Sequence, residues 1–142
     1  MRIVRVLWIG PAALVMLLLA GCGRAPLTPV HGKVAYKGAP LQTGVIVFTP
    51  DTTRGERGGI AVGKIREDGS YTLLTSDAPG ASPGWYRVTV SALGATSFSQ
   101  PNGQGFSYPQ SLLPEKYRDP EQSMLACEIK PSRTNNIDFN LD

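Results

Sequence analysis

The chain has a single histidine, His31, and two cysteines, Cys22 and Cys127, in 142 residues. That scarcity excludes a zinc cluster with recognisable spacing, which needs three or four His, Cys or carboxylate donors. Its acidic residues are scattered and never fall into the alternating oxygen ligands of a calcium loop. A glycine-rich phosphate cradle is also missing, so neither a metal nor a cofactor is expected. Charged residues make up only 18% of the chain, and the formal net charge is +3. No basic stripe is left to suit nucleic acid. The longest apolar run, residues 6–20, falls short of the roughly 20 residues that span a bilayer, and Gly10-Pro11 interrupts it. Helical periodicity is absent as well.

What the N-terminus does have is the pattern of an export signal. Arg2 and Arg5 precede the apolar run, and small residues close it. Leu19-Ala20-Gly21-Cys22 resembles the bacterial lipobox at every position. The resemblance implies cleavage between Gly21 and Cys22, lipidation of the Cys22 thiol, and acylation of the new amino group, typically with palmitate. Several acyl chains together anchor a protein stably where one holds it only marginally. The expected division is a signal peptide over 1–21, a lipidated cysteine with a short tether over 22–28, and one domain over 29–142. Losing Arg2 and Arg5 lowers the formal charge by two. Gly23 stands where an Asp retains lipoproteins in the inner membrane of enteric bacteria. By that analogy the protein sits in the outer membrane, facing the periplasm.

From Thr28 onward, apolar residues recur with period two, which predicts strands. Val30, Val34 and Tyr36 share one face of a first strand, with His31, Lys33 and Lys37 opposite. Residues 44–49, GVIVFT, are apolar on both faces and read as a central strand. Asp68-Gly69 sits between 60–66 and 71–76 as a hairpin signal. Tyr86, Val88 and Val90 alternate in the next strand. Residues 124–130 and 135–141 supply two more, with Ile137, Phe139 and Leu141 inward and Cys127 inward beside Leu125 and Ile129. The sum is an all-β chain, an antiparallel β-sandwich of about seven strands. Residues 93–123 lack any strand pattern and read as one long loop. Its second half is expected to make one helical turn starting at Pro114, with Leu112, Leu113 and Tyr117 covering an open end of the sandwich.

Gly80-Ala81-Ser82-Pro83-Gly84 spells G-x-S-x-G, the pattern of a serine hydrolase's nucleophile elbow. An elbow needs an N–H on the residue after Ser, and Pro83 has none. A strand follows instead of a helix, and His31 lies upstream of Ser82, whereas the elbow order is Ser, acid, His. Ser82 therefore reads as a turn serine, and no catalytic residue is assigned.

Three stretches, VHGKVAYKGAPLQTGVIVFTP, IREDGSYTL…PGWYRVTV and LLPEKYRDPEQSMLACEI…NIDFNL, together resemble the carboxypeptidase regulatory-like lipoproteins of planctomycete-type bacteria. The resemblance covers nearly all of 30–141 and implies a transthyretin-like (prealbumin-like) sandwich without catalytic residues. A related transthyretin-like enzyme hydrolyses hydroxyisourate with several histidines and a C-terminal Tyr-Arg-Gly-Ser. This chain has one histidine and ends Asn140-Leu141-Asp142.

Two functions compete on this basis. One is a non-catalytic envelope module that holds another envelope protein on a sandwich edge. The other is a carbohydrate or cell-wall polymer-binding module. An outward Trp85 beside Arg87 is suited to stacking on a sugar face. The bland alternative packs Trp85 beneath the long loop through Phe98, Phe106 or Tyr108. Trp85, Arg87, Tyr108 and Tyr117 are the candidate ligand or partner contacts.

Overall fold

The computed structural model describes residues 26–99, 101–103, 105–131 and 133–142. The leader, Gly21 and Cys22 lie outside the described residues, as does the tether through Ala25. The described chain is built of short strands. They are β1 (Val30–Tyr36), β2 (Ala39–Pro40), β3 (Gly44–Pro50), β4 (Ala61–Ile65), β5 (Ser70–Thr75), β6 (Ala78–Pro79) and β7 (Gly84–Ser91), then β8 (Leu93–Ser99), β9 (Gly105–Ser111), β10 (Leu125–Ile129), β11 (Asn135–Asn136) and β12 (Phe139–Leu141). Helical structure among the described residues is limited to single 3-10 turns at Thr52–Arg54 and Glu115–Arg118. No helix among them is long and apolar enough to cross a membrane.

One continuous sheet runs β10-β7-β3-β4-β5-β1-β11 and curls over a single core. The alternation seen in the sequence sets its inner face. Ile46 and Phe48 of β3, Tyr71 and Leu73 of β5, and Tyr86, Val88 and Val90 of β7 are all buried. Phe48 stands in the middle, with the rings of Tyr71, Tyr86 and Phe139 each about 6 Å away. Tilted and edge-on contacts of this kind add to the area each ring removes from water. Burying a Phe or Leu side chain is worth about 1.5–3 kcal/mol. The hydroxyls of the two central tyrosines are both satisfied. Tyr71 donates to the Ile137 carbonyl at 2.6 Å and Tyr86 to the Ser82 carbonyl at 2.9 Å.

The β4–β5 hairpin turns as Asp68-Gly69 suggests. The Gly69 N–H donates to the Arg66 carbonyl, and Gly69 takes φ +79°, which a side chain would resist. The Asp68 carboxylate accepts from both the N–H and the hydroxyl of Ser70. β3 is central in the sheet, as its two apolar faces predict, but its outer side chain Val45 is 37% exposed.

Three expectations need correcting. Residues 93–123 are not a structureless loop. They hold the β8–β9 hairpin, paired from Leu93↔Ser111 to Ser99↔Gly105, followed by the 3-10 turn at Glu115–Arg118. Of the residues expected to cover the core there, Leu113 and Tyr117 are buried, but Leu112 is 45% exposed. Second, the sheet is not wholly antiparallel, because β11 and β12 both run parallel to β1. Third, residues 135–141 are two strands, not one. At Ile137 and Asp138 the backbone ladder gives way to side-chain bonding: the Ile137 N–H still donates to the His31 carbonyl, while the Asp138 carboxylate accepts from the Lys33 N–H at 2.7 Å.

Candidate functional site

Two regions of the surface combine polar chemistry or exposed aromatic groups. The first is the junction between β7 and the loop after β3. Trp85 and Arg87 point outward from β7 because Tyr86, Val88 and Val90 point in. β7 extends past the end of β3, so the loop residues from Asp51 onward take over as its partners. The Asp51 N–H donates to the Trp85 carbonyl at 2.9 Å, and the Trp85 N–H donates to Glu56 Oε1 at 3.1 Å.

Asp51 is the centre of this junction. Its carboxylate accepts from the Thr53 hydroxyl at 2.6 Å and from the Thr53 N–H at 3.1 Å. It also pairs with Arg54 at 3.3 Å and Arg87 at 3.4 Å. The Thr53 hydroxyl first, then its N–H and the two guanidinium groups, hold the Asp51 carboxyl below the usual carboxylate range. The Arg54 guanidinium in turn lies over the Trp85 ring, 4.0 Å from its centroid. Arg87 reaches Glu121 on the other side at 3.8 Å.

The contact found on the Trp85 ring is with Arg54 of the 51–59 loop. The guanidinium covers one face of the ring that a sugar would stack on. Sequence patterning missed Arg54 and Asp51 because the 51–59 loop reads only as polar and glycine-rich. The one local signal was an Asp directly after a strand and ahead of two threonines, the pattern of a capped turn.

The second region is the β8–β9 hairpin. It pairs with no other described strand and forms a two-stranded arm. Leu93 is 56% exposed, Phe106 59% and Tyr108 50%. Residues 93–111 include no Asp, Glu, Lys, Arg or His. At the base of the arm, Val45, Val62, Lys64 and Leu93 line a shallow notch of about 360 Å³ on the outer face of the sheet.

The other sequence candidates separate. Tyr108 is on the arm, far along the chain from Trp85 and Arg87. Tyr117 is not a surface contact at all. It is buried, and its hydroxyl donates to Asp142 Oδ1 at 2.6 Å while accepting from the Asp142 N–H at 2.9 Å. Tyr117 clamps the end of the chain against the core, and Lys116 pairs with Asp142 beside it at 3.4 Å. Ser82 sits in the turn before β7, after the Thr28↔Ala81 bridge, and its carbonyl serves Tyr86. His31 is exposed on β1, opposite Thr72 of β5. Cys127 packs partly buried against the core, and burial pushes its thiol up to about 12. No group of three or more His, Cys, Asp or Glu among the described residues is placed to hold a metal ion.

No family model matches the chain, and no curated protein matches it in sequence. Among solved structures it is similar to a 9R-lipoxygenase from Cyanothece PCC8801, at 9% identity and TM-score 0.38, over 81% of this chain and 16% of that one. It is also similar to BcpA, the major pilin subunit of Bacillus cereus, at 14% identity and TM-score 0.41, over 82% of this chain and 29% of that one. The chain therefore spans less than a third of either protein's length. Likenesses at this level say nothing about what this chain does.

Proposed function

We propose that the chain is a non-catalytic lipoprotein of the bacterial cell envelope, whose transthyretin-like β-sandwich serves as a protein-interaction or scaffolding module. The family resemblance supports this, because its motif residues do structural work here. Pro83 to Val90 give the turn and inner face of β7. Asp68 to Tyr71 give a hairpin turn and a core tyrosine, and Tyr117 locks the chain end.

One observation carries the reading. The chain enters the fold at the Thr28↔Ala81 bridge, beside the start of β7, and the uncharged arm leaves from the other end of β7. Thr28 and the arm thereby lie towards opposite ends of an eight-residue strand. A lipid on Cys22 would leave the arm free to meet a partner at the membrane surface. For the polymer-binding alternative, a sugar would have to share the Trp85 ring with Arg54.

The test has two parts. Replacing Cys22 with Ala is expected to move the protein from the membrane pellet to the soluble fraction. A photoreactive residue at Tyr108 in intact cells is expected to capture one reproducible envelope protein, where the same group at Lys64 captures none. A Cys22→Ala protein that still pellets, or equal capture from both positions, would overturn the proposal.

A further inference from the structure

The arm poses a problem of its own. A lone two-stranded ribbon is marginal in water, and its two outer edges offer unpaired N–H and C=O groups. Those edges are not alike. The Leu112 N–H donates to the Ala92 carbonyl at 2.9 Å, so residues 92 and 112 form a hydrogen-bonded pair. In an antiparallel ladder such pairs alternate with non-bonded ones. Carried along the register, the backbones of 94, 96 and 98 bond across to β9, and those of Leu93, Ala95, Ser97 and Ser99 face away from it. On the other strand, Gly105, Ser107, Pro109 and Ser111 face outward.

Pro109 therefore falls at an outward position. It has no N–H and its ring occupies the edge, so the far side of β9 is closed to another strand. β8 has no such guard. It contains neither proline nor charge, the two devices that usually protect an edge. One edge of the arm is blocked and the other is open.

Resting on the reading of the arm as a contact surface, we propose that the open edge of β8 pairs with the same edge of a second copy of this chain. The pairing is antiparallel, about a two-fold axis at Thr96. Thr96 is the middle residue of β8, so this register matches Leu93 with Ser99 and Ala95 with Ser97 and uses every outward N–H and C=O. A two-fold contact sets the residues around its axis near their own copies, where like charges would repel. The absence of charge across residues 93–111 removes that penalty. The product is a four-stranded sheet whose outer edges are both β9, each blocked by Pro109. Assembly then closes at two copies instead of growing into a fibre.

Disulfide trapping in intact cells tests this on the full-length chain, in a Cys127→Ser background. The Thr96 pair is non-hydrogen-bonded, with Cα atoms about 4.5 Å apart, within the range a disulfide spans. Thr96→Cys is expected to give a cross-linked dimer on mild oxidation, and the Cys127→Ser parent none. Leu93→Cys places the two thiols roughly 20 Å apart, six residues along the strand, and is expected to give at least about tenfold less. Adding Ser97→Pro removes an outward N–H without touching the β8–β9 bonds and is expected to abolish the Thr96→Cys dimer. In the unsubstituted protein, the Ala95 and Ser97 amides are expected to exchange with solvent more slowly as concentration rises. Absence of the Thr96→Cys dimer, equal trapping at Leu93, or concentration-independent exchange at Ala95 and Ser97 would overturn the pairing. A Thr96→Cys adduct with a different protein would overturn the second copy as occupant while leaving the interaction role intact. Failure of the Cys22 test alone would sink the envelope reading and leave the dimer standing.

Discussion

Gly32 shows how much one missing side chain allows. It lies buried in β1, and a Cβ there would run into the Ile137 carbonyl and crowd the Tyr71 hydroxyl. The close passage of the C-terminal segment over β1 depends on that gap. Gly32→Ala is expected to destabilise the fold by about 2–3 kcal/mol, read as a fall in the urea midpoint without a change in slope. Cys127 makes a different case. Its thiol is pushed up to about 12 by burial, against about 8.5 for a free cysteine. In a Cys22→Ala background it is expected to react with a thiol reagent at pH 8 at least about a hundredfold more slowly than in urea. Rapid reaction in the native state would refute its placement against the core. The inward side of Cys127 was legible from its neighbours Leu125 and Ile129. The capping of Trp85 by Arg54 was not, because a contact between residues so far apart in the chain leaves no periodic trace.

At the level of elements, the strands that sequence patterning finds are those with one wet and one dry face. Alternation of apolar and polar residues is a record of one-sided burial. β9 has both faces largely exposed, and in β8 Gly94 and Thr96 are no more than half-buried, so selection for a core never wrote the pattern into them, and Gly, Ser and Gln fill many of their positions. They are strands by pairing with each other, through the backbone ladder and the Thr96 hydroxyl's bond to Gln110. The parallel placement of β11 and β12 escaped notice for a related reason, since alternation reports which side faces in and is silent on direction. Because the arm contributes little to the core, it is separable from it. Residues 92 and 112 are a hydrogen-bonded pair, the closing geometry of a two-residue turn. Replacing residues 93–111 with Asn-Gly is expected to leave the melting temperature within about 3 °C. A large drop would mean that the arm is part of the folded body.

Across the whole molecule, two groups of residues set the pH range of stability. The Asp51, Asp68 and Asp142 carboxyls are held below their ordinary values, chiefly by hydrogen bonds from Thr53, Ser70 and Tyr117. Their contribution is complete above the unfolded carboxyl value near 3.9 and is lost as pH falls through the lower folded values. Burial raises Tyr71, Tyr86 and Cys127 instead, so their contribution is complete below the unfolded values and fades as pH climbs beyond about 9. Urea midpoints are therefore expected to be level between about pH 5 and 8 and to fall on both sides. Asp51→Asn is expected to shrink the acid limb while leaving the alkaline one unchanged.

The flanking of β1 by β11 and β12 has a consequence in time. Lys33 and Asp138, 105 positions apart, meet across that seam, so almost the entire polypeptide must be available before the opening strand gains its last neighbours. Loop closure over such a span makes folding slow and late-committing. During synthesis the opening strand waits with one flank bare, which is when a chaperone would find it.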